Sequence, residues 1–337
     1  MADFARRMAS LPDTAAPMLV VVVDTEEEFD WQAPFGRNSH SVDALKELSA
    51  AQALFEEFGI VPVYAVDYPV AARPAEAAAL AGWVASGRAL LGAQLHGWVT
   101  PPFDEALTRP NSYQGNLPAD PERAKLAALT DRVSETFGRR PLIHRAGRYG
   151  IGAATPSLVA ALGYEIDLSI CARFDGRVDG GPDHTGYSAE PFWFADQPGL
   201  LELPSTAAYC GLLAPLGNPL HGFVAAPFPE QARIKAAFSR LRLLERIRLS
   251  PEGYTLAELK RLTGRLLADG LRVFSFSFHS PSLRPGCTPY VRDRVELEAI
   301  LGRCRRYFQF SRDEAGGRFS TPFEVRAALR DGAPDSG

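Results

Sequence analysis

At 337 residues the chain is longer than a typical single domain, yet it lies within the range of α/β barrels that fold as one unit. Hydrophobic residues make up 46% and charged residues 23%, the composition of an ordinary globular protein rather than a disordered or fibrous one. With 36 basic and 40 acidic residues the formal charge is -4, which argues against a nucleic-acid partner.

Residues 1–17 carry two arginines but no apolar run of signal-peptide length, and are read as an N-terminal extension. The run Met18–Val23 is too short to span a bilayer, so no membrane span and a cytoplasmic location are expected. It is uniformly apolar and β-branched, as a strand buried on both faces of a parallel sheet should be, and it ends abruptly in acid. Val42–Phe58 comes next, with a helical apolar spacing and Gly59 as its stop.

The pattern then repeats. Ile60–Val66 reads as a strand, Pro74–Ser86 as an alanine-rich helix and Ala89–Leu95 as a strand. After a loop over Gly97–Ala119, the chain predicts a helix at Pro121–Phe137, a strand at Leu142–His144, a helix at Thr155–Leu162 and a strand at Tyr164–Ser169. The stretch Cys171–Gly199 is too long and irregular for a simple connector and reads as a functional loop. Beyond it come a strand at Leu200–Leu203, helices at Glu230–Leu249 and Thr255–Asp269, a strand at Arg272–Phe278 and a helix at Val291–Phe310. Within the first of these helices Lys235, Arg240, Arg242 and Arg246 read as a solvated basic face. The tail from Asp313 reads as a small peripheral element.

Alternating strands and helices imply a single α/β domain over 18–312 with a mainly parallel sheet, closed into a barrel or doubly wound. No GxGxxG succeeds the first strand, which argues against dinucleotide binding. Cys171, Cys210, Cys287 and Cys304 show no CxxC spacing and are expected as reduced thiols.

Polar residues fall at the proposed strand ends: Asp24 and Glu26 after the first, His96 after the third, Arg145 after the fourth, Asp167 in the fifth and His279 after the last. In a parallel barrel all of these ends open onto one face. In Asp24-x-Glu26 alternate side chains of an extended segment share a side, and two such acids call for a divalent cation, with His96 as an imidazole ligand. His40, His144, His184 and His221 have no such placement and read as surface or packing residues.

The segments Asp24-Thr-Glu-Glu-Glu-Phe-Asp-Trp31, Leu95-His-Gly-Trp-Val-Thr-Pro-Pro102, Arg145-Ala-Gly-Arg-Tyr-Gly150, Leu201-Glu-Leu-Pro204 and Phe276-Ser-Phe-His-Ser-Pro-Ser-Leu283 together resemble the polysaccharide deacetylase family. This is the NodB-homology family, or carbohydrate esterase family four, and the resemblance is to its WalW-like branch. It implies a distorted (β/α) barrel of about seven strands, a divalent metal such as zinc, and hydrolysis of N- or O-acetyl groups on a saccharide. Carried over by motif, Asp24 resembles the general base and Glu26 the carboxylate ligand. Arg145 resembles the arginine that orients the base, Asp167 the acid that tunes the catalytic histidine, and His279 the general acid.

One position departs from the branch. Where the second motif carries its first histidine this chain has Gln94, two residues before His96, and an amide oxygen is a poor zinc ligand beside imidazole. The chain therefore reads either as a deacetylase with a metal site of Glu26, His96 and Gln94, or as a carbohydrate-binding pseudoenzyme. A glycosidase using two acids of the Asp24–Glu28 run is the weaker alternative, because such pairs come from different strands. Trp31, Trp98, Tyr149 and Trp193 are the candidate sugar-stacking residues.

Overall fold

A computed structural model describes residues 3–31, 33–220 and 243–331. Its main sheet is built on β2 (Met18–Thr25), whose eight residues are all buried. Parallel strands β3 (Val63–Val66), β4 (Leu90–Leu95), β5 (Ile143–Ala146), β6 (Ile166–Asp167) and β8 (Leu201–Glu202) extend it on one side, and β11 (Val273–His279) flanks it on the other. Beyond β8 the sheet continues antiparallel through β7 (Phe192–Phe194) to β1 (Arg6–Met8), so part of the N-terminal extension becomes an edge strand. An antiparallel pair, β9 (Ala207–Cys210) and β10 (Glu245–Arg248), lies between β8 and β11. No continuous ladder closes the barrel among the described residues. Isolated bonds link the residues flanking the β9–β10 pair to β11 instead: Ser277 N–H to Leu249 O at 3.2 Å and Ser275 N–H to Thr206 Oγ1 at 2.8 Å.

The helices are α1 (Leu48–Glu57), α2 (Tyr68–Ala71), α3 (Ala78–Ala85), α4 (Ala119–Phe137), α5 (Thr155–Ala161), α6 (Leu256–Ala268), α7 (Arg294–Asp313) and α8 (Pro322–Asp331). Their boundaries reflect local chemistry: Thr155 opens α5 ahead of Pro156, Thr255 and Glu258 form a capping box on α6, and Gly138 ends α4 at φ 66°. The expected helix over 230–249 is not continuous, because Glu245–Arg248 is β10; residues 230–242, with Lys235, Arg240 and Arg242, lie outside the described residues, as does His221. The tail contributes β12 (Arg318–Phe319), parallel to the start of β2, and α8.

Strand parity divides the core into two layers. Leu19, Val21 and Val23 face the helices and join the large outer core. Met18, Val20, Val22, Val63, Ile143, Ile166, Leu201 and Val273 face inward and fill the lower barrel, where Val325 and Leu329 of α8 pack against them. Continuing up the inward rows brings the chain to Asp24, Gln94, Arg145 and His279, so the same alternation that fills the base with hydrocarbon lifts these polar groups to the mouth. The cysteines are free, and no described helix is long and apolar enough to cross a membrane.

Candidate active site

A cleft of about 590 Å³ opens at the carboxyl ends of the strands, lined by Asp24, Glu26, Gln94, His96, Arg145 and His279 among others. Six of the seven residues expected to carry chemistry thus meet in one place, from strands β2, β4, β5 and β11 and the turns that leave them.

Arg145 grips Asp24 twice, with Nε 2.5 Å from Oδ1 and Nη2 donating to Oδ2 at 3.0 Å, and is itself anchored by Leu168 O at 2.7 Å. His279 Nε2 lies 3.7 Å from Asp24 Oδ2. The other imidazole nitrogen, Nδ1, is 2.8 Å from Glu252 Oε2, while Glu252 Oε1 accepts from the His279 backbone N–H at 3.1 Å and from Ser282 Oγ at 2.5 Å. Burial opposes charge on this imidazole, but Glu252 foremost, then Glu26 and Asp24, outweigh it and raise its pKa to about 9.

That role was expected of Asp167, and the structure reassigns its surroundings. Ile166 points inward, so Asp167 points out of the barrel, in register with His144 and Glu202. Its Oδ1 faces His144 Nδ1 at 3.1 Å and accepts from Ser169, so it belongs to a buried polar row behind the strands and makes no contact with His279. His144 is thereby a buried partner of an acid, not a surface residue.

Glu26 and His96 face each other with Oε2 3.5 Å from Nε2. Glu26 Oε1 and Gln94 Oε1 are buried without a hydrogen-bond partner among the described residues. On its far side His96 Nδ1 lies 2.7 Å from Glu27 Oε2, an arrangement in which a donated Nδ1–H leaves the Nε2 lone pair facing Glu26. Burial pushes the His96 pKa down to about 4, which keeps the ring neutral. The His96 lone pair, Glu26 Oε1 and the Gln94 amide oxygen are acceptors that suit a divalent cation, and burial, which foremost lifts the Glu26 pKa well above the ordinary carboxylate range, is opposed there by a bound positive charge. Glu27, Asp67 and His96 could also gather around an ion. We favour the Glu26 side, because Glu27 and Asp67 do not line the cleft and their oxygens already accept from Trp98 Nε1 (2.7 Å), the Glu27 backbone N–H (2.6 Å) and the Val70 N–H (2.8 Å). Burial first, then the Glu27 charge, lifts Asp67 well above the ordinary carboxylate range, and burial lifts Glu27 to about 7.

The backbone after β5 is shaped for this site. A Cβ on Gly147 would lie 2.3 Å from His96 Cδ2 and 2.6 Å from Leu95 O, so only glycine lets the chain pass the imidazole. Arg148 and Tyr149 then take positive φ of 57° and 60°, a costly conformation for two consecutive side chains that both line the cleft.

Of the aromatic candidates, Trp31 and Tyr149 line the cleft, Trp31 standing edge-on to His279 with ring centroids 5.0 Å apart. Trp98 does not; it is fully buried, stacked on His96 at 4.3 Å and bonded to Glu27, so it supports the imidazole from behind. Trp193 is elsewhere altogether. It pairs with Leu201 at the start of β8, among the inward core residues and within 6 Å of the Arg7, Arg326 and Arg330 guanidinium groups (5.8, 5.7 and 5.5 Å), at the end opposite the cleft. The sequence alone does not single out Asp67, Arg148, Arg248 or Glu252, and Glu27 enters there only through the glycosidase alternative. Asp67 lies directly after strand β3, so the strand-end rule that found the others also points to it.

No family model matches the sequence, and no curated protein matches it. Solved structures are similar in fold. A putative polysaccharide deacetylase from Mycobacterium smegmatis shares 15% identity over 98% of this chain and 96% of its own, with a TM-score of 0.56. The allantoinase Puue shares 15% over 99% and 100%, at 0.59. A probable polysaccharide deacetylase from Pseudomonas aeruginosa PAO1 shares 13% over 94% and 92%, at 0.52. The chain shares its mainly parallel α/β fold with these polysaccharide deacetylase and allantoinase structures.

Proposed function

We propose that the chain is a metal-dependent hydrolase that removes N- or O-acetyl groups from a saccharide. The observation that carries this reading is the juxtaposition of Asp24, fixed by Arg145, with His279, fixed by Glu252, across 3.7 Å. One group is built to accept a proton and the other to hold one, which is the division of labour that acyl transfer to water requires.

In this reading Asp24 takes the proton of the attacking water. His279, protonated over the neutral range because Glu252 stabilises its charge, delivers a proton to the departing amine or alcohol. A zinc or similar divalent ion held by Glu26, His96 Nε2 and Gln94 Oε1 would polarise the acyl carbonyl and acidify water. Trp31 and Tyr149, which line the cleft, would pack against the sugar, and Trp98 and Glu27 keep His96 oriented. The deacetylases among the fold neighbours support the choice of an acetylated saccharide as substrate.

A second reading, a saccharide-binding pseudoenzyme, is favoured by Gln94, whose amide oxygen is a weaker ligand than the imidazole it replaces. Acetate release from a panel of acetylated saccharides, measured on chelated and zinc-supplemented protein, separates the two. Zinc-dependent release supports the hydrolase; saccharide binding with no release under either condition supports the pseudoenzyme.

A further inference from the structure

Five arginines line the cleft, Arg109, Arg145, Arg148, Arg246 and Arg248, against four carboxylates. Pairing them leaves a cationic wall. Arg145 is engaged by Asp24 and Arg148 by Asp179, while Glu252 holds His279 at 2.8 Å and stands 3.6 Å from Arg248. Arg246 has no carboxylate partner among the described residues. Its Nη2 donates to Ala172 O at 2.7 Å and Cys171 Sγ at 3.1 Å, and its buried Nε has no acceptor among the described residues.

The strand explains why these two charges point the same way. Arg246 and Arg248 are two residues apart on β10 and share a face, while Ile247 between them is fully buried in the outer core and Glu245 pairs with Arg261 on the other side. Arg248 also donates to the Tyr149 hydroxyl, whose ring lies 5.3 Å from the Arg145 guanidinium. The cationic wall therefore adjoins the Asp24–His279 pair. A buried N–H without an acceptor is destabilising in the empty protein, and a guanidinium fork matches the two oxygens of a carboxylate or phosphate.

We infer that the saccharide taken by this cleft bears an anionic group, a carboxylate or a phosphate, bound by Arg246 and Arg248 beside the acetyl group. The acetyl part rests on the deacetylase reading; the anion part rests on the arginines alone.

The test is calorimetric binding of N-acetylglucosamine, its 6-phosphate and the corresponding 6-carboxylate to the full chain, with acetate release measured in parallel. At least one anionic sugar should bind about 10- to 100-fold tighter than the neutral one, the range of a charge-assisted hydrogen bond. Which one does so separates phosphate from carboxylate. Arg246→Gln should bring that ratio toward one, and Arg246→Lys should retain part of it. Equal binding of neutral and anionic sugars, no binding of either anion, or a ratio unchanged in folded Arg246→Gln overturns the inference. Acetate release without anion preference leaves the deacetylase reading standing and removes this one. Anion preference that depends on Arg246, without acetate release, does the reverse.

Discussion

Replacing Glu252 with glutamine tests the electrostatic arrangement around the proposed acid. The amide preserves acceptors for the His279 backbone N–H and for Ser282 but removes the charge 2.8 Å from Nδ1. In the native protein this carboxylate is the leading reason that His279 is raised from 6.5 to about 9 in spite of burial. Without it, burial dominates and His279 should titrate at or below 6.5. At ~1.4 kcal/mol per unit, the shift corresponds to about 3 kcal/mol of coupling between charge and fold. Because the folded pKa is raised, this stability is fully present below pH 6.5 and is lost as pH rises through about 9. Wild type should therefore melt at progressively lower temperature across that window, and the variant should lose this dependence. An NMR titration of the His279 ring, beside melting curves, reads both effects. A ring that still titrates near pH 9 in Glu252→Gln would refute the assignment.

Asp167→Asn should leave the His279 titration where it is, because Asp167 faces His144 on the outer side of β5 and β6; a displaced titration would reinstate it as the partner. Gln94→His should tighten zinc binding about tenfold or more by calorimetry, since imidazole replaces a buried amide oxygen of a residue that lines the same cleft as Glu26 and His96. Unchanged affinity would mean that residue 94 does not reach the ion. Gly147→Ala forces a methyl to 2.3 Å from His96 Cδ2, so thermal melting should report a loss of about 1–3 kcal/mol and zinc affinity should fall with it.

Much of this was legible in the chain because buried parallel strands announce themselves. Met18–Val23 is uninterrupted hydrocarbon, and the residues just beyond the end of such a run lie at the mouth of the barrel, which is how Asp24, Glu26, His96, Arg145 and His279 could be picked out. Parity was harder. A strand as short as Ile166–Asp167 does not reveal which residue faces in, and only its register with His144 and Glu202 turns Asp167 outward. The same uncertainty misdirected Trp193, whose neighbours Phe192 and Phe194 enter the outer core while it joins the inner one. Glu252 was hidden for a different reason. Glu-Arg-Ile-Arg comes after a basic run and reads as more helix, yet in the fold it is an amphipathic strand pairing with Ala207–Cys210, and its exit turn delivers the acid to His279.

The most direct test of the account is acetate release by Asp24→Asn compared with wild type on a saccharide that the wild-type protein deacetylates. Asparagine keeps the size of the side chain and cannot accept the proton, so turnover should fall roughly 100-fold or more while the fold and zinc binding persist. A variant with near wild-type kcat would contradict the assignment of Asp24 as the base, and with it the proposed use of the Asp24–His279 pair.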